Sequence, residues 1–144
     1  MLPFESVAFE QNKTLVSEIA NNVVIRGNED RLRRLTAILL DNAIKYSDEC
    51  GTITLRLQKA QDKALLTVHN TSAQIPAGQL THIFERFYRV DGSRTREKGG
   101  YGLGLSIAQS IVQSHHGRIS VQSGKQGTIF TVSLPAVWAV RLKK

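Results

Sequence analysis

The stretch EKGGYGLGLSIAQSIVQSHHG, Glu97 to Gly117, sets Gly99, Gly100, Gly102 and Gly104 just ahead of a helical pattern. Glycine there costs about 0.5–1 kcal/mol of backbone entropy per position relative to alanine. Such a cluster implies a need for bare backbone. A helix start offers free N–H groups and the positive end of the helix dipole, which together bind anions. Glycines let a phosphate chain come close to those groups. A flexible hinge without a ligand is the alternative reading of this stretch alone. Arg86, Arg89, Arg94 and Arg96 cluster beside the glycines and favour a phosphorylated ligand. The spacing is not that of a Walker loop, G-x-x-x-x-G-K-[ST], nor of a dinucleotide fingerprint, G-x-G-x-x-G after a strand.

A second candidate is Asn42. It lies three or four residues from Ile38, Leu39 and Tyr46, so it points toward the apolar seam of its helix. A buried amide needs hydrogen-bond partners, and a satisfied core asparagine is one reading. The other is chemical. An amide oxygen is a hard ligand suited to Mg²⁺, which keeps several waters and shares substrate phosphates. Lys45 suits phosphate and Tyr46 offers a flat face for a base, so the group makes a nucleotide site plausible.

The elements that must position these residues follow from periodicity. NEDRLRRLTAILLDNAIKYS (Asn28–Ser47) is a helix, with Asn28 as cap and Glu29 and Asp30 at the positive end of its dipole. Leu32, Leu35, Leu39, Ala43 and Tyr46 recur at helical spacing and should face the core. KTLVSEI and NVVIRG read as short strands. GTITLRLQKA and KALLTVHN read as a hairpin around Gln61 and Asp62. A short helix lies within Pro76–Phe87, with proline near its start. Arg89 to Lys98 reads as a mobile loop. Leu103–His115 is the next helix, with Leu105, Ala108, Ile111 and Val112 inward, and Gly117 stops it. RISVQS and TIFTVSL form a final hairpin, which Pro135 ends. The order predicts an α+β fold, a two-layer α/β sandwich whose mixed, mostly antiparallel sheet carries helices on one face. One domain spans 1–144, with 1–11 as the remnant of a preceding helix and 136–144 as a tail, either a docking segment or simply an end.

Composition narrows the classes. The chain has 144 residues and a formal charge of +7. The arginines do not alternate with aromatics, so a phosphorylated ligand is favoured over nucleic acid. Cys50 is the single cysteine, which excludes an internal disulfide and a cysteine metal cluster. No apolar run is long enough to span a bilayer.

Taken together, the motifs resemble the catalytic ATP-binding domain of bacterial sensor histidine kinases, in the superfamily that also holds gyrase, heat-shock chaperones and mismatch-repair ATPases. LLDNAIKYS resembles the N box, IFERFYRVDGSR the F box, and GGYGLGLSIAQSIVQSHHGRISVQS the G2 box with its following strand. The resemblance covers nearly the whole chain, in order. It implies that Asn42 ligates Mg²⁺, that Lys45 contacts phosphate and that Tyr46 lies against the nucleotide. Gly100, Gly102 and Gly104 would cradle the phosphates of ATP, with Leu103 and Leu105 near the nucleotide. Asn70, Ile75 and Thr128 would line the base end. The Arg89–Lys98 loop would be an ATP lid, and Arg86 or Arg89 would stabilise the transferring phosphoryl group.

The chain departs from that pattern in two places. The G1 box usually reads D-x-G-x-G before I-P, whereas NTSAQIP puts Asn70, Ser72 and Gln74 at those positions. A neutral amide weakens the expected adenine contact by about 1 kcal/mol, and Ser72 and Gln74 could crowd a loop built for glycine. The N box often carries a second polar residue where Ile38 stands. A degenerate regulatory pseudokinase module is therefore the alternative function. None of His69, His82, His115 and His116 is followed by an acidic residue, as the family's phosphoacceptor is. His115 and His116 read as a helix end, where partial positive charge is favourable. The resemblance thus implies a monomeric catalytic fragment. It would act on a histidine of a separate dimerisation hairpin, upstream of a response regulator. The setting would be the cytoplasmic part of a membrane-bound parent.

Overall fold

A computed structural model describes residues 12–20, 23–85 and 104–137. The expectations for Arg86, Arg89, Gly100, Gly102 and Leu103, for the 89–98 loop and for 1–11 and 138–144 lie outside the described residues.

Helix α1 (Glu29–Tyr46) begins where the sequence predicts. Oδ1 of Asn28 accepts the Arg31 N–H at 3.0 Å, satisfying a donor that a helix start leaves free. Glu29 and Asp30 occupy the first turn and Lys45 the last, each matching the dipole. The buried stripe contains Leu35, Leu39 and Ala43 as expected, but also Leu40 and Ile44, while Leu32 and Tyr46 are half-buried. The stripe is wide because α1 packs against the sheet and against a second helix, α3 (Gly104–Ser114), at once.

Strands β3 (Thr52–Ala60) and β4 (Lys63–Asn70) form the first hairpin, and β5 (Arg118–Gly124) and β6 (Gly127–Val137) the second. β1 (Thr14–Ile19) adds to β3 in parallel, and β2 (Val24–Ile25) adds to β6 antiparallel. The result is a six-stranded mixed sheet in the order β1-β3-β4-β6-β2, with β5 also on β6. Register aligns one face: Leu55 opposes Val68, Val68 opposes Phe130, and Phe130 opposes Val121. These side chains meet Leu35, Leu39, Ile111 and Val112 from the helices. Each fully buried aliphatic residue of this layer contributes about 1.5–3 kcal/mol relative to exposure. The single turn α2 (Ala77–Leu80) follows Pro76 and packs near β5. No helix among the described residues is long and apolar enough to cross a membrane.

Three expectations need correction. Pro135 does not end its strand. The Ala136 N–H donates to Asp62, on the β4 side, so the Pro135 nitrogen faces the opposite edge. There β5 pairs only as far as Ser133 and β2 begins at Ala136, and the missing N–H falls in that gap. Ala136 and Val137 therefore belong to the sheet and not to a tail. Second, the left-handed residue after α3 is His116, at φ 61°, and not Gly117. Gly117 is needed for a different reason: a Cβ there would collide with the Ser133 carbonyl. Third, His115 is not a charged end group. Its Nε2 accepts the Asn28 N–H, which requires a bare nitrogen and a neutral ring.

Candidate functional site

The described candidates gather at one end of the helix-facing side of the sheet. The C-terminal half of α1 brings Asn42, half-buried, and Lys45, whose Nζ lies 3.0 Å from Oδ2 of Asp41 in an i,i+4 ion pair. Half-buried Tyr46 closes the helix. The helix then ties itself to the end of β4, because the Asp48 N–H donates to the Thr71 carbonyl at 2.8 Å. Thr71 also accepts the Thr52 N–H on its hydroxyl at 3.0 Å. Asn70 thus stands next to the residue that anchors the α1 exit.

Asn70 and Thr128 face each other across the β4–β6 ladder, each 3% exposed. They are the buried polar residues among those described. Gly127 makes this possible. Its φ is +113°, and a Cβ there would run into the Asn70 carbonyl.

The loop that replaces the expected glycine-rich turn is held by hydroxyls. The Ile75 N–H donates to Ser123 Oγ at 2.8 Å. Ser123 Oγ lies 3.1 Å from Thr128 Oγ1, which lies 3.2 Å from Ser72 Oγ. Ser72 Oγ donates onward to the Ala73 carbonyl at 3.2 Å. Neither Ser72 nor Gln74 takes a positive φ, so the loop does not need glycine, and Ser72 fastens it to the sheet where crowding was expected. Ile75 is half-buried against the core.

Helix α3 enters beside α1. A Cβ built on Gly104 would stand 3.4 Å from Ile38 Cγ2, an ordinary contact, and Gly104 is exposed. Among the described residues neither packing nor a positive φ demands glycine at this helix start. Ile38 lies one helical turn before Asn42, so the α3 entry and the Asn42 face adjoin. Leu105 is half-buried and packs on the core.

Asn42, Lys45 and Tyr46 thus share the C-terminal half of α1, Gly104 and Leu105 open α3 beside it, and Asn70, Thr128 and Ile75 lie at the paired ends of β4 and β6 and the loop after β4. The structure also adds Ser123, which sequence reasoning missed. The signal existed: Ser123 and Thr128 flank the β5–β6 turn and are register partners. No cluster of three or more His, Cys, Asp or Glu suited to a metal occurs among the described residues.

A family model described as "Histidine kinase-, DNA gyrase B-, and HSP90-like ATPase" matches residues 27–137. The chain is 40% identical over 134 residues to the sensor histidine kinase RppB of Synechocystis sp., covering 92% of this chain and 30% of RppB. Among solved structures it is similar to the mycobacterial sensor histidine kinase MprB, with a TM-score of 0.81 and 27% identity, covering 93% of this chain and 91% of that one. It is also similar to the histidine kinase ThkA, solved in complex with the response regulator protein TrrA. That match has a TM-score of 0.77 and 25% identity, covering 94% of this chain and 38% of that one. The chain spans about a third of the length of the curated relatives it matches.

Proposed function

This chain belongs to the histidine kinase-, DNA gyrase B-, and HSP90-like ATPase family, as a catalytic ATP-binding domain of the sensor histidine kinase type, and on that premise we propose how its residues handle nucleotide. The carrying observation is Gly104. Among the described residues nothing requires glycine at this exposed helix start beside Ile38, which supports a bare backbone that serves an outside group. The N-terminal N–H groups and dipole of a helix such as α3 suit the phosphates of ATP. Gly100, Gly102 and Leu103, which precede Gly104 in the sequence, are assigned to the same phosphate-binding role.

The base lies at the sheet end, against Tyr46, Ile75 and Leu105, with its polar edge toward Asn70 and Thr128. Asn42 supplies an amide oxygen for Mg²⁺. The fit is limited, because Ile38, one turn earlier on the same helix, offers no second oxygen. An ion that takes its other ligands from phosphates and water suits such a face. When bound, Mg²⁺ would neutralise phosphate charge. Lys45, already half-buried beside Asp41, adds a second positive charge within reach of phosphate oxygens.

Phosphoryl transfer depends mainly on position and charge. Here the chain orients the nucleotide from both ends, and Arg86 or Arg89 steadies the transferring group. The γ-phosphoryl group passes to an imidazole nitrogen of a histidine on a separate hairpin, and ADP remains. A response regulator acts downstream, in line with the complex in which ThkA was solved. In this reading the domain is the cytoplasmic part of a longer membrane-bound protein and is monomeric by itself.

The test is calorimetric titration of ATP and ADP, with and without Mg²⁺, into the protein and its Asn42→Ala variant. Binding that needs Mg²⁺ and is lost in the variant is expected. Absence of binding at millimolar nucleotide would overturn the proposal. Phosphohistidine formation on added hairpin protein then tests transfer itself.

A further inference from the structure

The Asn70–Thr128 pair carries more than a place for the base. The direction of the hydroxyl relay is set from its Ala73 end, where Ser72 spends its one proton. An amide N–H only donates and a carbonyl only accepts. With the Ile75 N–H at one end and the Ala73 carbonyl at the other, Ser123 must donate to Thr128, and Thr128 to Ser72. Every hydroxyl proton of the relay is thereby committed.

Asn70 takes no part in it. Asn70 is 3% exposed, yet its side chain makes no hydrogen bond to another group among the described residues. None of the described side-chain atoms is sealed from solvent without a partner, so the amide retains an opening. A buried amide calls for partners, and among the described residues nothing decides which end, the carbonyl or the NH₂, faces that opening. A carboxylate at this place would only accept. An amide presents an acceptor in one orientation and a donor after a half-turn about its last torsion.

Resting on the nucleotide reading above, we infer that this site does not read position 6 of a purine: it takes 6-amino and 6-keto purine nucleoside triphosphates alike. Asn70 Oδ1 accepts from the 6-amino group of adenine. Nδ2 donates to the 6-keto oxygen of hypoxanthine or guanine. The relay makes no bond to the Asn70 amide, so it holds neither orientation.

The probes are ATP and inosine triphosphate, which differ in the 6-substituent and the proton on N1, titrated with Mg²⁺ by calorimetry. Sites built to bond one polar group reject analogues lacking it by about 10⁴–10⁵-fold. Here the two dissociation constants are expected within about tenfold of each other. A larger preference for ATP overturns the inference while leaving the nucleotide site standing. Failure of both nucleotides to bind overturns the nucleotide site and the inference with it. In Asn70→Asp, checked for folding by circular dichroism, ATP is expected to gain on inosine triphosphate by more than about tenfold. An unchanged ratio in the folded variant also overturns it. Should that variant not fold, the wild-type comparison decides.

Discussion

The His115 ring joins the end of α3 to the start of α1. Its Nε2 accepts the Asn28 N–H at 3.1 Å, and its Nδ1 lies 2.8 Å from the Ile111 carbonyl and 3.2 Å from Ser114 Oγ. A carbonyl only accepts, so Nδ1 carries the proton and Nε2 is bare. The same ring fills the space that Gly27 leaves open, since a Cβ at Gly27 would collide with it. Asn28 is thus used twice: its side chain caps α1 and its backbone holds α3.

Replacing His115 by alanine should leave the Asn28 N–H without its acceptor. The bond is exposed, so water takes its place and the expected loss is about 0.5–1.5 kcal/mol. Urea unfolding should show a lower midpoint at unchanged slope, and an unchanged midpoint would mean the bond carries no net stability.

His116 should behave in the opposite way. It sits at φ 61°, a conformation that costs an L-residue about 1–2 kcal/mol. His116→Gly removes that strain but adds unfolded-state entropy, so the net gain should be about 0.5–1 kcal/mol. A melting temperature raised by roughly 2–4 °C is the expected reading. A lowered one would show that the imidazole makes a compensating contact.

Gly127→Ala should be costly. The position combines φ +113° with contact to the Asn70 carbonyl. Strain of about 1–3 kcal/mol is expected from the backbone alone, and the β4–β6 register must shift locally to admit the methyl. Thermal unfolding should fall, and nucleotide affinity with it, because Asn70 moves. Stability lost at unchanged affinity would separate Asn70 from the binding site.

Thr128→Val keeps shape but cuts the relay between Ser123 and Ser72. Two hydroxyls lose a partner, at about 0.5–1.5 kcal/mol for each bond. Native-state hydrogen exchange at the Ile75 amide should accelerate, and Thr128→Ser should restore protection. Unchanged exchange in the valine variant would mean the loop is held by Ile75 packing instead.

Much of this arrangement was legible in the residues. The two helices carry strong 3.6-residue periodicity, and α1 has its cap written as Asn28 before Glu29 and Asp30. Both hairpins were readable because Gln61–Asp62 and GKQG separate β-rich runs. What misled was local chemistry applied without neighbours. Pro135 breaks a strand only where its nitrogen faces a ladder, and here it faces a gap. His115 at a helix end suggests a favourable positive charge, but the Asn28 N–H arrives from 87 residues away and takes the lone pair.

The site divides along the same line. Asn42, Lys45 and Tyr46 share one helix, and Gly104 opens another, so their chemistry could be read from spacing within single elements. Ser72 and Thr128 are 56 residues apart, and whether they meet depends on how β4 registers against β6. A slip of one residue would turn Asn70 and Thr128 to the opposite face. The sequence by itself determined the helices, the hairpins and the bare backbone that suits phosphate. Only the tertiary structure decided that Asn70 and Thr128 are buried as partners, that Ser72 fastens the loop and that His115 is neutral. Strand register and helix packing bring those groups within 3.2 Å of their partners, and local propensity carries no information about distances between segments remote in the chain.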